Sequence, residues 1–193
     1  MKAREFLHEY WKNPADENQP ERYLASTRNG RTKLLLSFCD YIGLLPQHSI
    51  LEIGCNIGRN LNALWEDGYY DLHGIEINQH AVELMRTKFP DMKAHIHVGS
   101  IEDKLTELDE FDLILSMTVF MHIHPKSEWI FTEIAKRTRK WLITFEDECN
   151  HNSERILSRN YKEIFEQLGM KCIRTEIEIP GMSAVYTARV FEK

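Results

Sequence analysis

Residues 50 to 60 read Ile50-Leu51-Glu52-Ile53-Gly54-Cys55-Asn56-Ile57-Gly58-Arg59-Asn60. A short, mostly apolar run, Ile50 to Ile53, ends in a glycine turn, and Leu61, Leu64 and Trp65 follow at helical spacing. The pattern predicts a strand, a tight loop and the first turn of a helix. Glycine at 54 permits a bend that a Cβ would obstruct. Glycine at 58 lets a ligand or the strand come close to the helix start. The first amides of that helix have no partner within it and can face a ligand. A carboxylate at Glu52 repels a pyrophosphate and suits an ammonium group or ribose hydroxyls. Asn56 tolerates left-handed backbone angles better than most residues. By itself the stretch also fits an ordinary strand-to-helix turn of some other α/β protein.

Downstream, the helix ends near Asp67-Gly68, and Leu72 to Ile77 reads as a second strand. Its Glu76 can accept hydrogen bonds from both hydroxyls of a ribose. Asn78 is a helix N-cap, with Ala81, Val82, Leu84 and Met85 behind it and Phe89-Pro90 closing the helix. Ala94 to Val98 is a third strand, with His95 and His97 on one face by period two. The sequence places no third ligand beside them, so no metal is expected. The strand runs into Gly99-Ser100-Ile101. Phe111 to Ser116 is nearly continuous apolar, as in a parallel strand buried on both faces. Its C-terminal end should face the same crevice as the glycine loop.

His122 and His124 follow that strand. An imidazole with the ordinary pKa of ~6.5 suits proton removal at neutral pH; the alternative is a histidine packed against the next helix. Pro125 opens that helix, with Trp129, Ile130, Ile134 and Ala135 on one face. Lys136, Arg137, Arg139 and Lys140 complement its C-terminus. Trp141 to Phe145 is a fifth strand. It empties into the acidic run Glu146 to Asn152, either a solvated loop or one that offers a carboxylate or His151 to a substrate. Arg159 to Leu168 is a last helix. Met170 to Ile179 and Ser183 to Phe191, joined at Pro180-Gly181, must be antiparallel. Ahead of everything, residues 3–12 and 21–44 have helical spacing, separated by Asn13 to Pro20 with its two prolines, and Gly30 interrupts the second. The expected organisation is an N-terminal helical cap over 1–45 and an α/β domain over 46–193, one globular unit. The fold class is a Rossmann-like, seven-stranded, mostly parallel sheet with a C-terminal antiparallel hairpin and helices on both faces.

The chain has 193 residues, 42% hydrophobic and 28% charged, enough for one core. A formal net charge of −6 gives no basic stripe for nucleic acid. The four cysteines, Cys39, Cys55, Cys149 and Cys172, have no CxxC spacing and read as reduced thiols. The charged N-terminus is unlike a signal peptide, and no apolar run approaches the ~20 residues of a membrane helix. The expected location is the cytoplasm. Oligomeric state is left open.

From about Ser49 to Phe191 the ordered segments resemble class I S-adenosylmethionine-dependent methyltransferases, whose first motif is Glu/Asp-x-Gly-x-Gly-x-Gly. Here Asn56 replaces the middle glycine, and Ser100 stands where that family commonly has Asp. The resemblance implies S-adenosylmethionine bound by Glu52, Gly54, Cys55, Asn56, Gly58, Asn60, Glu76, Ile77, Ser100, Ile101, Ser116 and Met117. Gly54, Asn56 and Gly58 would line the methionine part, Glu76 the ribose, and Ser100-Ile101 the adenine. In such proteins the leading helices often cover the cofactor or touch the substrate; the alternative is that they only cap the sheet. More narrowly, residues 51–61 and 74–78 resemble methylases of pseudaminic acid and other surface-sugar biosynthesis, with Tyr23 and Arg28-Asn29 in corresponding places. That implies O- or N-methylation of a small acceptor, a sugar acid or sugar nucleotide. His122 is the candidate catalytic base, and Tyr23, Arg28, His124 and Glu146 are candidate acceptor contacts. Arg28 would suit a carboxylate or phosphate. Two competing readings are a nicotinamide-dependent oxidoreductase, which usually has Gly-x-Gly-x-x-Gly and no acid like Glu52, and a non-catalytic cofactor-binding partner protein.

Overall fold

The structure, a computed structural model, describes residues 4–15, 18–24, 29–149 and 153–193. Its strands are β1 (Ile50–Ile53), β2 (Leu72–Glu76), β3 (His95–Val98), β4 (Phe111–Met117), β5 (Thr138–Asp147), β6 (Lys171–Glu176) and β7 (Tyr186–Glu192). They form one sheet in the order β3-β2-β1-β4-β5-β7-β6. β1 lies between β2 and β4 and is parallel to both, with Ile53 opposite Ile75 and Ser116. β7 is antiparallel to β5 and to β6. Strand order reverses between β1 and β4, so a crevice opens at their C-terminal ends.

Every residue of β1 is buried. Ile50 packs in a cluster with Leu35 and Phe38 of α2 (Asn29–Tyr41), Leu61 and Leu64 of α3 (Arg59–Glu66), and Met85 of α4 (Gln79–Lys88). Leu51 packs on the opposite side with Ile130, Phe131 and Ile134 of α6 (Trp129–Arg137) and Tyr161 and Phe165 of α7 (Tyr161–Gln167). Burial on both faces is why the strand reads as a run and not as an alternation. α1 (Arg4–Lys12) and the short α5 (Ile101–Lys104) complete the helices.

Several boundaries differ from the sequence reading. The expected helix over 21–44 is a 3-10 turn, Pro20–Leu24, and then α2 from Asn29. α2 is part of the core: Phe38 is fully buried and its ring lies 5.7 Å from that of Phe145 on β5. α6 stops at Arg137, because Thr138 already pairs with Phe111. Arg139 and Lys140 are therefore strand residues that meet Glu110 and Asp112, not a basic helix end. β6 stops at Glu176, and the chain leaves the sheet so that Pro180 packs on Gly30 and Ile179 enters the core beside α2. His95 and His97 flank the ring of His73 at 5.0 and 5.7 Å. No group of residues suited to a metal occurs among the described residues, and no described helix is long and apolar enough to cross a membrane.

Phe38→Ala should cost about 3–5 kcal/mol, the usual price of emptying a fully buried aromatic site. Urea unfolding followed by far-ultraviolet circular dichroism should stay a single transition, since α2 shares the sheet's core. A separate early transition would instead mark the N-terminal segment as an independent cap.

Candidate active site

A cavity of about 520 Å³ opens at the C-terminal ends of β1, β2 and β4. Its floor is the glycine loop. Gly54, Asn56 and Gly58 have φ of 69°, 49° and 71°. The loop is wired to its neighbours: Gly54 N–H donates to the Ile75 carbonyl at 2.8 Å, and Ile57 N–H to the Asn56 side-chain carbonyl at 2.8 Å. The Asn56 amide donates to Glu76 Oε2 at 2.7 Å, while Glu76 Oε1 accepts from Asn78 N–H at 2.8 Å. One buried carboxylate thus bridges the loop and the start of α4. Burial raises its pKa, against the opposing pull of those amides.

Glu52 is buried beneath the loop. Its Oε1 accepts from Asn60 Nδ2 at 2.7 Å. Asn60 Oδ1 accepts from the Thr32 hydroxyl at 2.8 Å, and Thr32 Oγ1 accepts from Arg59 Nε at 3.0 Å. The other oxygen, Oε2, is buried without a hydrogen-bond partner. Burial pushes the Glu52 carboxyl up to about 8. Glu52 lines the cavity, and a buried acid with an unpaired oxygen suits a cationic group.

On the β3 side, Ser100 and Ile101 reach the cavity. The Ser100 hydroxyl caps α5, accepting from Asp103 N–H at 3.2 Å and donating to its carboxylate at 2.7 Å. α1 lies over the opening. His8 contacts Glu102 at 3.1 Å, and the Trp11 ring lies 4.4 Å from that of His122. Tyr23, Arg31, Arg155, Met182 and Tyr186 also line the cavity.

Most of the residues chosen from sequence come together here: Glu52, Gly54, Cys55, Asn56, Asn60, Glu76, Ile77, Ser100, Ile101, Met117, His122, His124 and Tyr23 all face the cavity. Three do not fit as expected. Gly58 is not in its wall; a Cβ there would sit 2.7 Å from Met85 Cγ, so the glycine serves helix packing. Ser116 turns inward and donates to Glu146 at 2.7 Å. Glu146 is itself fully buried beneath the wall and is not an acceptor contact, because it belongs to β5 and not to a solvated loop. Its neighbour Glu148 forms an ion pair with Arg189 at 2.6 Å. Arg28 and His151 lie outside the described residues.

His122 is placed as expected but titrates differently. Its Nδ1 is 2.5 Å from the Arg155 carbonyl, which only accepts, so Nδ1 carries the proton and Nε2 the lone pair. Burial depresses its pKa from 6.5 to about 4. His124 Nδ1 accepts from Lys126 N–H at 3.1 Å and caps the turn before α6. Sequence reading missed Trp11, His8, Arg31, Arg59, Glu102, Arg155 and Tyr186 as wall residues. The apolar spacing of Leu7, Tyr10 and Trp11 on so short a helix was a usable signal, since that face must cover something.

Strand order and glycine loop define a doubly wound α/β fold with its cavity at the switch point of the sheet. Residues 50–140, just under half of the chain, match the family model described as a methyltransferase domain. Among solved structures the chain is similar to magnesium protoporphyrin IX methyltransferase from Synechocystis PCC 6803, crystallised with bound S-adenosylmethionine. There the identity is 14%, the TM-score 0.73, and 100% of this chain and 96% of that one are covered. It is also similar to an S-adenosylmethionine-dependent methyltransferase from Leishmania major, at 16% identity and TM-score 0.73, over 98% of this chain and 82% of that one. A third similar structure is the [4+2]-cyclase SpnF, at 12% identity and TM-score 0.68, over 88% and 83% of the two chains. No curated protein matches the sequence.

Because the folded pKa of His122 lies below the unfolded value, the folded protein binds fewer protons than the unfolded chain between pH 6.5 and about 4. The stability present above pH 6.5 is therefore lost as pH falls through that window. Glutamine in place of His122 should shrink the difference in unfolding free energy between pH 7 and 4.5, read by urea titration. An unchanged difference would show that the imidazole is not the titrating group.

Proposed function

We propose that the cavity binds S-adenosylmethionine in an extended pose and transfers its methyl group to a small acceptor at an oxygen or nitrogen. The observation that carries this reading is the open, buried oxygen of Glu52 beside the glycine loop. It supports a cofactor whose ammonium group meets Glu52 and whose carboxylate meets loop amides. Gly54, Cys55 and Asn56 would line the methionine part, with Asn60 and Met117 beside it. Glu76 has a second lone pair on each oxygen and can still accept both ribose hydroxyls. Ile77, Ser100 and Ile101 would border the adenine. A dinucleotide pyrophosphate fits poorly against Glu52, which disfavours the nicotinamide reading.

S-adenosylmethionine, when bound, supplies an electrophilic methyl group. What remains for the protein is to orient the acceptor, exclude water and take a proton. Trp11 and Leu7 of α1 close the opening. His122 stays neutral at neutral pH and offers Nε2 as a weak proton acceptor, adequate for a hydroxyl that sheds its proton as the bond to methyl forms. Arg31 and Arg59, with Tyr23, Tyr186 and His124, form a wall suited to an anionic group on the acceptor. A sugar acid or sugar nucleotide satisfies that chemistry, and Arg31 could serve it alongside Arg28, which lies outside the described residues.

Titration calorimetry with S-adenosylhomocysteine and with NADH tests the cofactor. Binding of the first and not the second is expected. Glu52→Gln should weaken S-adenosylhomocysteine by about 10–100-fold, the worth of one charge-assisted hydrogen bond. At pH 7 the free carboxyl, at about 8, is mostly protonated. Pairing with an ammonium lowers its pKa, so binding should release protons and tighten as pH rises; buffers of different ionisation enthalpy measure this. Proton-neutral binding by the wild type, or full affinity in the variant, would separate Glu52 from the cofactor.

Once an acceptor is in hand, His122→Ala should lower the transfer rate about 10²-fold with S-adenosylhomocysteine affinity nearly unchanged. A fully active variant would leave a site that only positions its reactants. Labelled-methyl turnover by the isolated chain would also exclude a purely binding role.

A further inference from the structure

Glu146 is fully buried, and it is not part of the cavity wall. Its oxygens are aimed at the segment that leaves β4. Oε1 accepts from Ser116 Oγ at 2.7 Å and from Val119 N–H at 3.1 Å, and Oε2 accepts from Met121 N–H at 3.2 Å. Between those anchors sits Thr118, with φ of 61°. A β-branched residue in the left-handed region is a true outlier and persists only where its surroundings over-determine it. The surroundings here are the end of β5: the Phe145 carbonyl accepts from Thr118 N–H at 2.8 Å, and the next residue is Glu146 itself. The held segment supplies Thr118, Val119, Met121 and His122 to the cavity. Val119 also seats on the glycine loop; a Cβ on Gly54 would lie 2.4 Å from Val119 Cγ2.

We infer that Glu146 is a positioning residue for this site, its carboxylate holding residues 118–122 in the strained form that seats Val119 on the glycine loop. The inference rests on the cavity being the S-adenosylmethionine site. Three donors converge on a group that accepts everywhere and donates nowhere. Glutamine keeps the shape, but its NH2 must face one of those donors. Burial raises the carboxyl to about 7. A proton then occupies one oxygen as pH falls below that value, and one of the three donors loses its acceptor. The titratable and charged groups around Glu146 are Tyr161 at the start of α7, Tyr186 on β7, Asp147 and Glu148 following it, and Arg159 ahead of α7. Both phenols are shifted upward and stay protonated through this range.

The test compares wild type, Glu146→Gln and Ser116→Ala by S-adenosylhomocysteine titration from pH 5.5 to 8.5, and by amide NMR spectra of the unliganded proteins. Glu146→Gln should bind about 10-fold more weakly at pH 8, and below pH 7 its affinity should fall less steeply than the wild type's, keeping only the part that Glu52 contributes. Its spectrum should shift at Val119 and Met121 and also at Gly54 and Asn56, across the Val119 contact. Ser116→Ala keeps the carboxylate but removes one donor to its charged form. It should move the acid loss of affinity to higher pH, and it serves if the glutamine variant fails to fold. Wild-type affinity at every pH in both variants, or amide shifts confined to Val119 and Met121, would overturn the inference. If the wild type itself does not bind S-adenosylhomocysteine, the cofactor reading falls. The shifts at Gly54 and Asn56 then decide alone: present, they support Glu146 as the positioning residue, and absent, they overturn it.

Discussion

A carboxylate held inside a parallel sheet is the constraint that ties this molecule together. Glu52 shares its side of β1 with Ile50, facing α2 and α3, and it is nearly as buried as its apolar neighbours. Removing an ionised carboxylate from water costs several kcal/mol unless partners replace the lost solvation. The Asn60 amide, itself oriented because Thr32 donates to its carbonyl, replaces part of it, with the Arg59 charge and the Leu61 amide adding less than burial removes. That chain runs Arg59, Thr32, Asn60, Glu52, and so links the start of α3, the first turn of α2 and the floor of the sheet. The second oxygen is left open. The folded protein tolerates this by raising the pKa, and a cationic ligand would relieve it. Stability forgone at one atom becomes affinity at the same atom.

The glycine loop follows from the same economy of polar groups. Three of its residues adopt left-handed angles, and one of them is Asn56 where a glycine is usual. Asn56 is tolerated because its side chain caps the next amide and its own amide is taken by Glu76. A local side-chain-to-backbone bond replaces conformational freedom. The loop is therefore formed before any ligand arrives.

How far the sequence could be read depends on which physical signal each segment carries. β1, β2 and β4 announce themselves because burial on both faces enforces apolar runs. The start of β5 does not: Thr138, Arg139 and Lys140 look like a basic helix end, and only pairing with Phe111 makes them strand. Glu146 shows the same limit at the other end of that strand. Its place beside the crevice was legible, but whether its side chain turned to the cavity or to Ser116 was a question of direction that composition does not answer. His122 was legible as a neighbour of the site, yet its acidity was not. The depressed pKa comes from burial and, to a lesser degree, from the charge of Arg155, a residue more than thirty positions later.

The same fold also houses a [4+2]-cyclase, so architecture alone does not choose the reaction. The choice lies in where the chain departs from regular structure. One part of the cavity wall is built on strand ends, the glycine loop and α5, and its acids are Glu52, Glu76 and Glu102. The other part is built from α1, the 20–24 turn, the 153–157 segment and the excursion after β6, which brings Met182 to the wall. Those pieces contribute Trp11, Tyr23, Arg155 and Met182, while Arg31 and Arg59 come from the starts of α2 and α3. Glu52, Glu76 and Glu102 share the cavity with Arg31, Arg59 and Arg155, and Arg59 is linked to Glu52 through Thr32 and Asn60. Four of the chain's twelve arginines, Arg4, Arg31, Arg59 and Arg155, line this cavity, and they would suit an anion beside a cationic cofactor. The two charges would stabilise each other's binding across the bond to be made.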